Sequence, residues 1–484
     1  MGPPWDNRRE SFRALAYVAT IAALGLFYAA VSYHSGQSFT WTNGGWYGEL
    51  ARAFLQGQVS LLSQPSPGLL ADPHPYASEH PYPFKWDISF YHGKYYAYFG
   101  PTPAILFFYP WQVLTGHVLN QALCFWFICM AELILFAFFL AALVRLYFPA
   151  STIGMQVLIL LVFGVGYAQG FSIHLVTIHN IAQETALLLI MAMFYLIFLA
   201  LHAGRGQVAL VVLAAACWGA AVGSRATLLP YGVVFLPVLY HILKGRPLIQ
   251  SGGTVLAVMI PPLIVGALLA WYNQARFGNP LDFGIAYQLE NRTYTPGPYF
   301  SLRYFPMGLT HMLLMPPRPS SDFPFLFPDP PTHAFFNARM GSSKYIGALF
   351  ALPILLYGFL PLGPLDRPPL RFFRRLLMLS GAIMLAVLSC YCVIYYRYFM
   401  DFLTPVFLLM AVGLLAHKPA SAPGLGARLL FWGAALWTLY MGVALSLIGE
   451  INGLHNFHTY PPPAIGEPWL PDGETTEPPT WLKN

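Results

Sequence analysis

Apolar residues run in blocks long enough to cross a bilayer, about 17 to 25 residues, near 12–32, 122–144, 151–168, 180–201, 207–223, 226–242, 252–272, 343–363, 375–395, 399–416 and 427–448. About eleven transmembrane helices are thus expected in one transmembrane domain over 1–484. The pattern is all-α and polytopic. A further apolar stretch, Gly100 to Gly116, is interrupted by Pro101, Pro103 and Pro110, and reads as an embedded or re-entrant helix.

Between the runs lie a first long loop, 33–121, a second, 273–342, and a polar tail, 449–484. In the first loop Trp46, Leu50, Ala53 and Phe54 recur at helical spacing, which predicts an amphipathic interfacial helix with Glu49 and Arg52 on its polar side. The tyrosine-dense run Phe90 to Tyr98, with Gly93 in its middle, predicts two extended arms joined by a tight turn.

Composition agrees: the 484-residue chain is 57% hydrophobic and 9% charged, against roughly 25% charged in soluble domains. An ordinary soluble enzyme is excluded. A net charge of +6 arises from scattered Lys and Arg, so nucleic acid is not an expected partner. The five cysteines lie in or beside apolar runs and form no disulfide or zinc pattern.

Charge also orients the chain. If 100–116 does not cross, 13 of the 25 Lys and Arg fall on short loops of one side, whereas 15 of the 19 acids fall on the other. That is the positive-inside bias. It predicts a cytoplasmic amino terminus, both long loops on the external or periplasmic face of the inner membrane, and an external tail. The retained first helix follows Arg8, Arg9 and Arg13.

The scarce charges at the external ends of spans are the candidate chemistry, because an ionisable group near hydrocarbon is costly unless it is paired or works. Arg225, Arg276 and Arg397 come from separate hairpins and suit bidentate phosphate binding. The structural alternative pairs Arg397 with Asp401 or Arg225 with Glu184. Asp87, among aromatic neighbours, suits proton transfer. Glu132 is alone in mid-span and reads as protonated or hydrogen-bonded to a neighbouring helix. His74, His80 and His92, with Asp72, match no metal spacing, so a divalent metal stays open as a cofactor and no other is expected.

The helix around Tyr47-x-Glu49-Leu50-Ala51-Arg52, the Gly93-Lys94-Tyr95-Tyr96 segment running into a Pro-rich apolar helix, Gly223-Ser224-Arg225-Ala226-Thr227, Tyr272 to Pro280 and Arg397-Tyr398 through Pro405 occur in an order that resembles the GT-C fold glycosyltransferases. That superfamily includes protein O-mannosyltransferases and aminoarabinose transferases, and the resemblance covers most of the chain. It implies a membrane enzyme that moves a sugar from a polyprenyl-phosphate carrier to a glycan, lipid or protein acceptor, in contact with membrane lipid. The family usually places an acid just after the first span. Asn43 stands at that position, so Asp87, with Glu49 next, takes the catalytic role, and Asn43, Lys94, Tyr95, Tyr96, Glu184 and the three arginines bind substrate. The rival readings are a transporter or flippase of lipid-linked saccharide and a non-catalytic binder of such a lipid. A transporter would show paired intramembrane charges and internal repeats; one isolated acid and two long loops favour surface chemistry.

Overall fold

The computed structural model describes residues 7–35, 39, 44–76, 82–85, 88–166, 172–173, 176–204, 206–289, 299–321, 325–327, 346–365, 367–392, 394–421 and 424–448. Among these, nine helices are long and apolar enough to cross a membrane. They are α1 (Asn7–His34), α4 (Gln121–Tyr147), α6 (Ile178–Ala200), α7 (Gln207–Ser224), α8 (Ala226–Leu243), α9 (Leu248–Phe277), α11 (Pro368–Ser389), α12 (Tyr398–His417) and α13 (Leu425–Ile448). The shorter helices include α2 (Gly45–Leu55), α3 (Ala104–Thr115), α5 (Ile153–Val165) and α10 (Phe305–Leu314). The protein is a polytopic helical membrane protein.

Two expected spans differ from continuous helices. The 151–168 run is helical only over the 13 residues of α5, about 20 Å at 1.5 Å per residue, against a hydrocarbon core of about 30 Å. It runs parallel to α1, since the Tyr17 hydroxyl donates to Gln156 Oε1 at 2.9 Å and the Tyr28 hydroxyl to the Gly164 carbonyl at 2.6 Å. The 343–363 run breaks into Ala348–Ala351 and a 3-10 turn, Pro353–Phe359, because Pro353 has no N–H to continue the ladder. Carbonyls freed there cannot stay bare in lipid. Arg374 supplies the donors, with Nη2 3.2 Å from the Gly358 oxygen and 2.9 Å from that of Leu360.

Polar caps start three of the helices at the residues that close their first turns. The Asn120 side chain accepts from Leu123 N, that of Thr152 from Met155 N and that of Thr177 from Asn180 N. The α3 segment, with Pro110 in its first α-turn, is 12 residues long and too short to cross, as its prolines predict.

The two long loops meet. β1 (Ile88–Tyr91) and β2 (Lys94–Tyr96) form the predicted hairpin, turned by His92 at φ 48° and Gly93 at φ 72°, the doubly left-handed turn that matches strand twist. From the second loop β3 (Gln288–Leu289) adds to the other edge of β1, giving the order β2-β1-β3. The Ser89 hydroxyl ties the loops again by donating to the Gly284 carbonyl at 2.9 Å. Beneath this sheet a second apolar core gathers Tyr28, Tyr47, Leu50, Ile88, Tyr95, Phe108, Phe125 and Leu289. One end of the bundle, the loop end, is therefore roofed and packed.

Candidate functional site

Arg225 follows α7 with an extended backbone, φ −143° and ψ 100°, before the chain re-enters a 3-10 turn. The break points its guanidinium into the bundle. There Nε and Nη2 donate to the same oxygen, Oδ2 of Asp401, at 3.0 and 2.8 Å. Both residues are buried. Gln183 Nε2 donates to the other carboxylate oxygen at 2.9 Å and also to the Arg397 carbonyl, while the Tyr231 hydroxyl donates to the Asp401 carbonyl at 2.5 Å. Of the pairings that the structural alternative offered, the ion pair that forms joins Arg225 to Asp401 rather than to Glu184. α12 presents Asp401 one turn deeper than Arg397, level with Arg225.

Arg225 and Arg397 lie near the same ring, 5.2 and 5.6 Å from the centroid of Tyr398. Arg397 also covers Tyr395 at 4.4 Å and is half-buried. Cation–π contact of this kind holds a guanidinium in place without neutralising it.

Arg276 is buried at the end of α9, over the rings of Tyr272 at 4.0 Å and Phe277 at 4.6 Å. Its Nη2 donates to Asn273 Oδ1 at 2.5 Å and its Nη1 to the Ala97 carbonyl. Asn273 in turn donates to the Pro280 carbonyl at 3.1 Å, and Gly278 ends the helix at φ 69°. The Tyr272 to Pro280 motif is a helix stop that delivers Arg276 to the first loop.

A strip of that loop, Ala97 to Gly100, joins these groups. Ala97 accepts from Arg276, the Tyr98 hydroxyl meets Nε2 of His179 at 3.0 Å, and Gly100 presses on the Gly223 carbonyl so closely that a Cβ there would lie 1.8 Å from its oxygen. The Tyr47 hydroxyl donates to the Gly100 carbonyl at 3.3 Å. Tyr98, His179 and Gln183 were not singled out as functional residues by the sequence reading. Their signal is faint: a polar side chain at one-turn spacing, His179 and Gln183, on an otherwise apolar helix.

Glu49 differs from its expected solvent-facing position. It is buried, and its Oε1 accepts from the backbone and hydroxyl of Ser63, while Oε2 takes the Lys85 ammonium at 3.1 Å. Lys85 sits 4.2 Å above the Trp46 ring, and burial lowers its pKa although Glu49 pulls the other way. The helix turns Glu49 inward because the loop folds back over it. Lys94 is exposed at the hairpin turn. Tyr95 and Tyr96 are buried, Tyr95 against Phe90 with its hydroxyl pushed up to about 12 by burial, and Tyr96 edge-on to Phe277 at 5.5 Å.

Glu184 is buried five residues beyond His179 on α6, with Glu132 of α4 beside it. Glu132 thus has a neighbour on another helix. Asp87, Asn43, His80 and the tail 449–484 lie outside the described residues. Ile88, next in the chain after Asp87, is fully buried and pairs with Leu289. His74 and Asp72 form a local turn, the His74 N–H donating to Asp72 Oδ1 at 2.7 Å. Among the described residues no three His, Cys, Asp or Glu side chains converge as a metal site requires.

The fold and site define a membrane-embedded helical bundle whose loop end gathers arginines, a histidine and carboxylates under a roof built from two loops. No family model matches the chain, and no curated protein does. Among solved structures it is similar to ArnT from Cupriavidus metallidurans in the apo state, with TM-score 0.46 and 13% identity over 90% of this chain and 77% of that one. It is also similar to the archaeal oligosaccharyltransferase AglB from Archaeoglobus fulgidus, solved in complex with an inhibitory peptide and a dolichol-phosphate, with TM-score 0.45 and 14% identity over 95% of this chain and 61% of AglB. Both likenesses are distant, and the chemistry below stands on this chain's own residues.

Proposed function

We propose that the protein is a membrane glycosyltransferase of GT-C type that moves a sugar from a polyprenyl-phosphate carrier to an acceptor hydroxyl or amine on the external face of the cytoplasmic membrane. The observation that carries this reading is the gathering of Arg225, Arg397 and Arg276 at the loop end of an apolar bundle, two of them at one Tyr398 ring and the third tied to them through Ala97 to Gly100. A phosphate on a lipid tail is an anion that lives at that boundary.

In the transfer the acceptor oxygen bonds to the anomeric carbon as the carbon–oxygen bond to phosphate breaks. Polyprenyl phosphate leaves with the electron pair, and guanidinium groups fixed beside it stabilise the growing charge. Arg397, held by ring faces, is the first candidate for that contact. Arg225 is anchored by Asp401 and acts in support. Asp87 takes the acceptor proton, and Lys94, exposed at the adjoining turn, offers a second cation to the donor. The exposed Ile105, Leu106, Val113 and Leu114 of α3 provide an apolar face for the carrier tail. Orientation follows the positive-inside bias, with the amino terminus cytoplasmic.

A second reading has one observation in its favour: the Glu132–Glu184 contact is the kind of intramembrane acid pair that transporters use. Purified protein in vesicles loaded with labelled polyprenyl-phosphate sugar separates the readings. A transferase releases the label from lipid to an added acceptor or to water. Movement of intact labelled lipid between leaflets supports a flippase, and binding with neither supports a non-catalytic binder.

A further inference from the structure

The two guanidinium groups at the Tyr398 ring stand at one end of a run of aromatic rings. Tyr398 lies 5.8 Å from Tyr391, and Tyr391 lies 4.8 Å from Phe300. Tyr299 is also near Tyr391, at 6.4 Å with 18° between the ring planes. The run therefore passes from Tyr299 and Phe300 of the second loop, each about half exposed, through half-buried Tyr391 to Tyr398 and the arginines.

Backbone pairing fixes this run. The Ser301 N–H donates to the Cys390 carbonyl and the Cys392 N–H to the Tyr299 carbonyl, each at 2.9 Å, so that Phe300 and Tyr391 stand opposite each other in an antiparallel bridge. They form the non-hydrogen-bonded kind of pair, in which facing side chains come closest. Just beyond, α10 lies so tightly on the end of α11 that a Cβ at Gly308 would sit 2.3 Å from the Ser389 oxygen. Rings held in place before a ligand arrives lose little freedom when it binds.

Chemistry selects the occupant. Arg225 and Arg397 at the inner end suit an anion. The ring faces are electron-rich and attract polarised C–H groups, while Tyr299, Tyr391 and Tyr398 carry hydroxyls at their edges. A sugar offers both a face of C–H groups and an edge of hydroxyls. An isoprenoid chain offers no polar edge, and suits the exposed Ile105, Leu106, Val113 and Leu114 of α3 instead.

We infer that Tyr391 and Phe300 form the saccharide platform of the donor site. With the phosphate at Arg397, the group bonded directly to it lies on Tyr391, one ring outward from the guanidinium groups, and its far edge reaches Phe300. The inference rests on the transferase reading and adds to it the residues that recognise the sugar rather than the carrier.

Equilibrium binding to the full chain in lipid nanodiscs tests the platform without turnover, with polyprenyl phosphate and polyprenyl-phosphate glucose, mannose and arabinose as probes. Wild type is expected to bind at least one glycosylated carrier more tightly than the bare one. Y391L is expected to weaken that binding about tenfold and to leave the bare carrier unaffected, whereas Y391F keeps most of it. F300L, at an exposed position, is expected to lose part of the preference, and it decides the matter if Y391L does not fold. Equal binding of bare and glycosylated carriers by wild type, a sugar preference undiminished in Y391L or F300L, or an equal loss for the bare carrier would each overturn the platform while leaving the transferase reading in place. A wild-type protein that binds none of the four carriers overturns both.

Discussion

Arg225 and Asp401, 176 residues apart in the chain, are joined by two hydrogen bonds that end on one carboxylate oxygen. The pair pins the break after α7 to the first turn of α12. It decides whether Arg225 is a free phosphate ligand or an anchored one.

Asp401→Ala leaves Arg225 buried without its counter-ion, and breaking a buried pair from one side costs about 3–5 kcal/mol. The melting temperature in detergent is expected to drop sharply. The double variant R225M/D401L is expected to recover most of that stability, because both charges leave together, yet to recover no activity. If D401A melts like wild type, the pair does not hold the site.

Lys85 yields a pH dependence. Burial lowers its pKa from the ordinary 10.5, so the folded state binds that proton less tightly than the unfolded chain. The sign follows from linkage: the cost is fully present below the depressed value and is relieved as pH rises from it toward 10.5. Stability of wild type relative to Lys85→Met is expected to increase through this alkaline window. Melting curves of the two proteins at stepped pH measure the difference, and parallel curves would refute it.

Gly100→Ala places a methyl group 1.8 Å from the Gly223 oxygen, which backbone must move to accommodate. Overpacking of this kind costs about 1–3 kcal/mol. The strip from Ala97 to Gly100 is expected to lift from α7, lowering transfer activity more than the melting temperature suggests. Limited proteolysis of the first loop, faster in G100A than in wild type, reports the lift directly.

Much of the architecture was legible because hydrophobic period and length are strong signals for helices in lipid. Nine of the eleven apolar runs are long helices among the described residues, and the Gly93 hairpin forms where turn chemistry puts it. The two exceptions have local causes, Pro353 in one and a short helical stretch of 13 residues in the other. Side-chain partners were much less legible. Glu49 looked solvent-facing because helical spacing shows which residues share a face but not what folds back over it, and Ser63 and Lys85 do so. Arg225 met Asp401 rather than Glu184 because depth in the bundle, which sequence does not record, selects the partner. Glu132 seemed alone for the same reason.

Sugar transfer with Asp87 as the base is tested by the rate of sugar release from polyprenyl-phosphate donor to acceptor by wild type, Asp87→Asn and Glu49→Gln, each assayed well below its melting temperature. Wild type is expected to transfer, D87N to fall by about 10²–10⁴-fold, the contribution of a general base, and E49Q to retain most of its rate once folded. A wild-type protein that transfers no sugar, or a D87N protein that transfers at the full rate, would contradict the account.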